Sequence, residues 1–155
     1  MNNRVWVMAA VAVSVAASAC GGLLAQRNEP EQLFFAMRIE DEGRLLARPN
    51  LLGETGHKLS MRLVDPERPE LTRLALELLP ERQGDGYRIQ LGVATADRGR
   101  PQVGALALLH GEERKLVLAG PDRPLKVTLM LMRVDSPEFD AWLELVRREQ
   151  AASSS

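Results

Sequence analysis

Two stretches decide how this chain folds: Gly53-Glu54-Thr55-Gly56-His57-Lys58-Leu59, followed by Pro66-Glu67-Arg68-Pro69, and Gly111-Glu112-Glu113-Arg114-Lys115-Leu116, followed by Pro121-Asp122-Arg123-Pro124. The two landmarks recur in the same order, 58 residues apart at the glycine, 57 at the lysine and 55 at the prolines. Ordered recurrence at such a spacing marks a repeated supersecondary unit. Arginine- and proline-rich usage can also generate short matches, so the repeat stands here as an expectation.

Outward from the landmarks, each copy reads as strands joined by turns. Residues 33–39 run into Glu40-Asp41-Glu42-Gly43, a turn whose glycine can take positive φ, and continue as 44–47. Residues 57–64 alternate, with Leu59, Met61 and Leu63 on one face. Tyr87, Ile89, Leu91 and Val93 alternate after the turn signal Gly84-Asp85-Gly86. Residues 103–109 and 114–119 flank His110-Gly111-Glu112, and 126–134 put Val127, Leu129 and Leu131 on one face.

Residues 71–79 are ambiguous. Leu71, Leu74, Ala75 and Leu78 would form a helical stripe, yet Leu74, Leu76 and Leu78 also alternate. The repeat arbitrates, because the corresponding segment 126–134 is rich in strand formers, and 71–79 is read as a strand. The expected fold is mainly β: an eight-stranded two-sheet sandwich over residues 26–135, built from two related halves. Neither half can bury its apolar face alone.

The C-terminus changes character. Ser136-Pro137-Glu138 supplies an N-cap, a proline at the first helical position and an acid in the first turn, which predicts a helix over 136–150. Phe139, Trp142, Leu143 and Val146 form a stripe at helical spacing, and Arg147 and Arg148 suit the negative end of the dipole. The stripe is expected to pack on the sandwich, with contact to a partner protein or membrane as the alternative. Residues 151–155 read as a disordered tail.

The N-terminus gives an address. The chain has 155 residues and a 45% hydrophobic content, but 17 of the 21 residues from 5 to 25 are hydrophobic, which leaves an ordinary globular remainder. Arg4 precedes an uncharged apolar run, Ala17-Ser18-Ala19 supplies the small residues of a cleavage site, and Cys20 follows. Residues 1–25 therefore read as an export leader, with a mature chain starting at 20. The order charged, apolar, small, cysteine resembles a bacterial lipoprotein signal, with Ala17 in the place usually held by leucine. That resemblance implies a lipid on Cys20. Cleavage after Ala19 or Ala25, or retention of residues 5–26 as an anchor, are the alternatives. Each of the three places the remaining chain outside the cytoplasm, in the periplasm or attached to a membrane.

Chemistry is poorly represented. Twenty basic against 21 acidic residues, a net charge of −1, argues against a nucleic-acid binder. A single cysteine excludes an internal disulfide or a multi-cysteine metal site. His57 and His110 each sit beside a glycine–glutamate landmark, but without metal-ligand spacing they read as solvated turn or strand-edge residues. The acidic run Glu40-Asp41-Glu42 lacks calcium-loop spacing and reads as a solvated hairpin turn. No nucleophile elbow or phosphate loop occurs, and Ser60 is expected to face outward from its strand. No catalytic residue, cofactor or metal is expected.

A family resemblance rests on residues 43–52, Gly43-Arg44-Leu45-Leu46-Ala47-Arg48-Pro49-Asn50-Leu51-Leu52, and on 57–63. This pattern resembles the exported C-terminal β segments of membrane-embedded antirepressor metallopeptidases and, more loosely, the strand pattern of outer-membrane secretins. The peptidase helices and zinc motif are absent. The resemblance implies a stand-alone envelope module that senses or contacts another protein. The expected function is thus a non-enzymatic, lipid-anchored interaction module whose partner is an unidentified envelope protein, met at an edge strand or the C-terminal helix; the alternative is a periplasmic ligand sensor or regulator.

Overall fold

The computed structural model describes residues 29–120 and 123–153. Their order is β1 (Gln32–Asp41), β2 (Arg44–Ala47), β3 (Asn50–Glu54), β4 (Leu59–Val64), β5 (Thr72–Gln83), β6 (Gly86–Thr95), β7 (Gln102–Leu108), β8 (Glu113–Leu118), β9 (Leu125–Arg133) and α1 (Pro137–Ser153). They form two antiparallel sheets. In the first, β2 and β3 lie on one side of β1, with β9 and then β8 on the other; the second runs β4-β5-β6-β7. The leader over 1–25, and Cys20 with it, lies outside the described residues. Among the described residues no helix is long and apolar enough to cross a membrane.

The expected two-sheet architecture with a C-terminal helix is present, with nine strands among the described residues rather than eight. The addition is β3, which shows too little alternation to announce itself. It is a strand because β1 is long enough to pair twice, Phe34 opposite Leu52 and Ile39 opposite Ala47. Between β2 and β3 the chain breaks at Arg48-Pro49, where the Pro49 carbonyl accepts the Met37 N–H at 3.0 Å. The ambiguous segment is indeed a strand, β5, with Leu74, Leu76 and Leu78 buried at period two. Pro80 is tolerated in it because β4 pairs no further than Leu78, so β5 is locally an edge there.

The core lies between four central strands. Leu33, Phe35, Met37 and Ile39 of β1 and Val127, Leu129 and Leu131 of β9 face Leu74, Leu76 and Leu78 of β5 and Tyr87, Ile89, Leu91 and Val93 of β6. Each such side chain contributes roughly 1.5–3 kcal/mol by leaving water.

The pairings of one half reappear in the other. Exchanging halves takes β1 to β6, β2–β3 to β7, β4 to β8 and β5 to β9, so each sheet maps onto its neighbour. Registers follow the exchange: Phe35 opposite Leu51 becomes Ile89 opposite Leu106. Met61 opposite Leu76 becomes Leu116 opposite Val127, and Ile39 opposite Val127 becomes Val93 opposite Leu76. The turns agree as well. Gly56 and Gly111 both have positive φ, 79° and 76°. Their N–H groups donate to the Pro80 and Leu131 carbonyls at 2.7 and 2.8 Å.

This corrects the expected alignment. Gly111 corresponds to Gly56, not to Gly53. Backbone conformation makes the match, because both turns need a residue at positive φ, whereas Gly53 lies within β3, where a Cβ would sit 2.3 Å from Leu59.

Helix α1 begins as expected. Ser136 Oγ accepts the Phe139 N–H at 3.2 Å and donates to the Arg133 carbonyl at 2.6 Å. It continues past residue 150, so 151–153 are helical rather than a disordered tail; Ala151 and Ala152 are good helix formers and no glycine or proline stops them. Arg147 and Arg148 consequently lie short of the last turn and approach Glu144 instead.

Candidate functional site

The four helix residues offered as partner contacts divide. Phe139 is buried, and Trp142 and Leu143 partly so, on the outer face of the first sheet against Phe34 and Met132. Ring centroids of Phe34 lie 5.2 Å from Phe139 and 4.3 Å from Trp142, within the range for favourable aromatic pairs. Val146 is half-buried outside that cluster. The stripe thus packs on the sandwich, and Phe139, Trp142 and Leu143 are occupied there.

The two histidines differ: His57 is solvated as expected, whereas His110 departs from the reading of both as solvated turn or strand-edge residues. His57 is half exposed, 3.8 Å from Glu54. His110, on the β7–β8 turn, pins the start of α1. Its Nδ1 accepts the Arg133 N–H at 3.1 Å, so Nε2 carries the proton and donates to Glu138 at 3.0 Å. That hydrogen bond is the main cause holding the Glu138 carboxyl below the usual range. Ser60 is exposed on β4, and no group of three or more His, Cys, Asp or Glu side chains among the described residues could hold a metal ion.

The acidic run also needs correction. Glu42 and Gly43 make the turn, both at positive φ, but Asp41 is only 4% exposed and ends β1. Its carboxylate accepts from buried Arg98 at 2.9 Å and from Arg123 at 3.2 Å. Arg98 also donates to the Arg123 carbonyl, as does Gln102 at 2.8 Å. Arg123 reaches Asp97, whose carboxyl is held low first by the Thr95 hydroxyl. This network closes one end of the sandwich. Each charged side chain in it has an opposite charge, although Arg98 Nε and Gln102 Oε1 are buried without a hydrogen-bond partner, and the network reads as a structural clasp.

At the other end Glu31 accepts from the Tyr87 hydroxyl and from Arg82. Burial pushes Glu31 up, but those two donors bring it net below its ordinary value. Tyr87 is raised to about 12 by burial and by the Glu31 carboxylate.

Surfaces remain. A shallow open groove of about 430 Å³ lies on the first sheet beyond α1, lined by Ala36, Met130 and Thr128 among the charged side chains of Arg38, Glu40, Glu113 and Lys115. More informative are the four sheet edges, since an edge strand presents unpaired N–H and C=O groups to any passing chain. The β2–β3 edge is interrupted at Arg48-Pro49 and carries Arg44 and Glu54. The β4 edge carries Arg62 and a register break at Leu63/Val64. The β8 edge begins Glu113-Arg114-Lys115.

The β7 edge has none of these features. Its sequence, Gln102-Val103-Gly104-Ala105-Leu106-Ala107-Leu108, contains no charge and no proline, and its pairing with β6 is unbroken. Val103, Ala105 and Ala107 point outward, and Val103 is 70% exposed, more than any other large apolar side chain described. Sequence reasoning identified the strand but not this role. The visible signal was an uncharged run over 101–109; which strands are edges was not visible.

Glu112 flanks this edge at the turn, its carboxyl held below the usual range by the Leu109 N–H and then by Arg114. Comparison of the chain with known protein families, with curated proteins and with solved structures finds no match.

Proposed function

We propose that this chain is an exported, membrane-attached β-sandwich of the bacterial envelope that binds another protein and performs no chemistry itself. The observation that supports this reading most directly is the β7 edge, an unguarded strand in a protein whose other three edges are each charged or broken. Natural sheets blunt edges that have no partner, so an edge left open over seven residues fits a binding role. The leader supports the address: a lipid on Cys20 would hold the sandwich at a membrane surface through the short segment ahead of β1.

Two experiments test the two parts. A photo-reactive amino acid at position 105, in the full-length chain expressed in bacterial cells, should form a discrete adduct that Val103→Lys abolishes; the same probe at Ser60 on β4 should give none. Equal adducts at both positions, or an adduct indifferent to Val103→Lys, would sink the edge. Labelled palmitate should enter the wild type and not Cys20→Ala.

The exchange of pairings between halves also supports descent from a duplicated unit of about 55 residues. With the halves aligned on Gly56 and Gly111, Leu51, Leu63, Pro66, Arg68 and Pro69 recur as Leu106, Leu118, Pro121, Arg123 and Pro124. Each sheet contains strands from both halves, the arrangement expected if the unit first paired with a second copy of itself.

A further inference from the structure

Resting on the proposed docking edge, we infer the chemistry of what docks: an extended, uncharged segment of a different protein, added as a fifth strand antiparallel to β7, with bulky apolar side chains on its outward row. The inference follows from what β7 presents. Every pairing in its sheet is antiparallel, and antiparallel addition is the slightly more stable choice. The outward row of β7 is Val103, Ala105 and Ala107, and the positions paired opposite them on β6 are Gly92, Gln90 and Arg88, so the row is low along β7 itself and lowest at its Val103 end. This is a low platform. Small side chains beside a new strand leave room that branched or aromatic residues fill, and such cross-strand pairs stabilise sheets. A charge in the middle of the incoming strand would find no opposite charge on β7 and would cover none of the apolar surface that Val103 exposes.

A second copy of this chain fits less well. β7 paired with itself would set Val103, Ala105 and Ala107 beside the same small side chains and fill none of that room.

The test uses the full-length chain in detergent micelles and a fluorescein-labelled nine-residue peptide of alternating valine and threonine. Saturable binding by fluorescence anisotropy is expected. N-methylation of alternate peptide residues, which blocks strand pairing but leaves the side chains, should weaken binding at least tenfold. So should lysine in place of the central valine. On the protein, Val103→Lys and Ala105→Lys should each abolish binding while circular dichroism stays unchanged.

Equal binding of the parent and N-methylated peptides would overturn strand addition. A micelle-corrected mass of two chains, returning to one in Val103→Lys, would place a second copy at the edge and overturn the inferred partner. If no peptide binds while the position-105 adduct still forms in cells, the partner chemistry is wrong and the docking edge stands. Failure of both removes the edge as well.

Discussion

Strand β7 and the β2–β3 pair hold equivalent places in the two halves, and they end their sheets in different ways. The exchange that takes Gly56 to Gly111 takes Ala47 to Gln102, Arg48 to Val103, Pro49 to Gly104 and Asn50 to Ala105. The first half therefore has an arginine and a chain-breaking proline where the second has its most exposed valine and a glycine. Gly104 is held small from within, since a Cβ there would meet Leu118 at 2.7 Å and Leu116 at 3.1 Å. The outer faces differ in the reverse sense. Phe34 opposite Met132 lies under α1, and the equivalent pair on the other sheet is the solvent-facing Arg88 opposite Glu81. One half covers a face and guards an edge; the other leaves both open. Only the second arrangement leaves room for a partner.

The largest expected effect lies at the sandwich end, where Asp41 and Thr95 are equivalent but only Asp41 carries a charge. Asp41→Ala leaves buried Arg98 without its carboxylate and should cost about 3–5 kcal/mol in urea unfolding. Thr95→Ala should cost about 1 kcal/mol or less. Equal costs would mean that the clasp belongs to both halves alike and would remove this part of the contrast.

Next come the outer faces. Phe34→Ala removes the platform under Phe139 and Trp142 and should cost roughly 3 kcal/mol, with α1 amides losing protection from hydrogen exchange before the strands do. Arg88→Ala, at the matching place, should stay within about 0.5 kcal/mol. Retained protection in α1 after Phe34→Ala would show that the His110 and Ser136 contacts hold the helix without the aromatic pairing.

How far this could be read from the chain depended on distance. Strand type for β5 was legible because Leu74, Leu76 and Leu78 alternate locally and its partner half resolved the ambiguity. The cap at Ser136 was legible because all its parts lie within four residues. Strand β3 was not, since its five residues form a strand only through the length of β1. Asp41 was misread as solvated because its partner Arg98 is 57 residues away. The β7 composition was in plain view, but its meaning needs the sheet order, which no local pattern contains.

At the end of the sandwich away from the clasp, different groups set the acid and the alkaline limits of stability. Glu31 and Glu138 are held below their ordinary values, so the stability they contribute is present above about pH 4.5 and is lost as pH falls through their lowered folded values. Tyr87 works in the opposite direction. Its folded pKa is raised from 10 to about 12, so its contribution is intact below pH 10 and disappears as pH rises toward 12. Urea midpoints measured across both windows should fall at each extreme. Tyr87→Phe should flatten the alkaline fall and leave the clasp at Asp41 untouched.

The smallest effect on stability decides the most about function. Val103→Arg places on β7 the residue that guards the equivalent position in the first half. Val103 is already exposed and contributes little to the core, so the unfolding free energy should move by no more than about 0.5 kcal/mol. Partner capture should nevertheless be lost, because a charged edge side chain opposes strand addition and takes away the apolar contact Val103 offers. The reciprocal change, Arg48→Val, removes that charge from the β2–β3 edge but leaves Pro49, which cannot donate to a ladder. It should therefore create no second binding edge, and light scattering of the variant should match the wild type. Adding Pro49→Gly to Arg48→Val removes both guards, and concentration-dependent scattering should appear. If Arg48→Val alone aggregates, charge rather than the proline break protects that edge. If Val103→Arg leaves capture intact, the difference between the two edges has no part in binding.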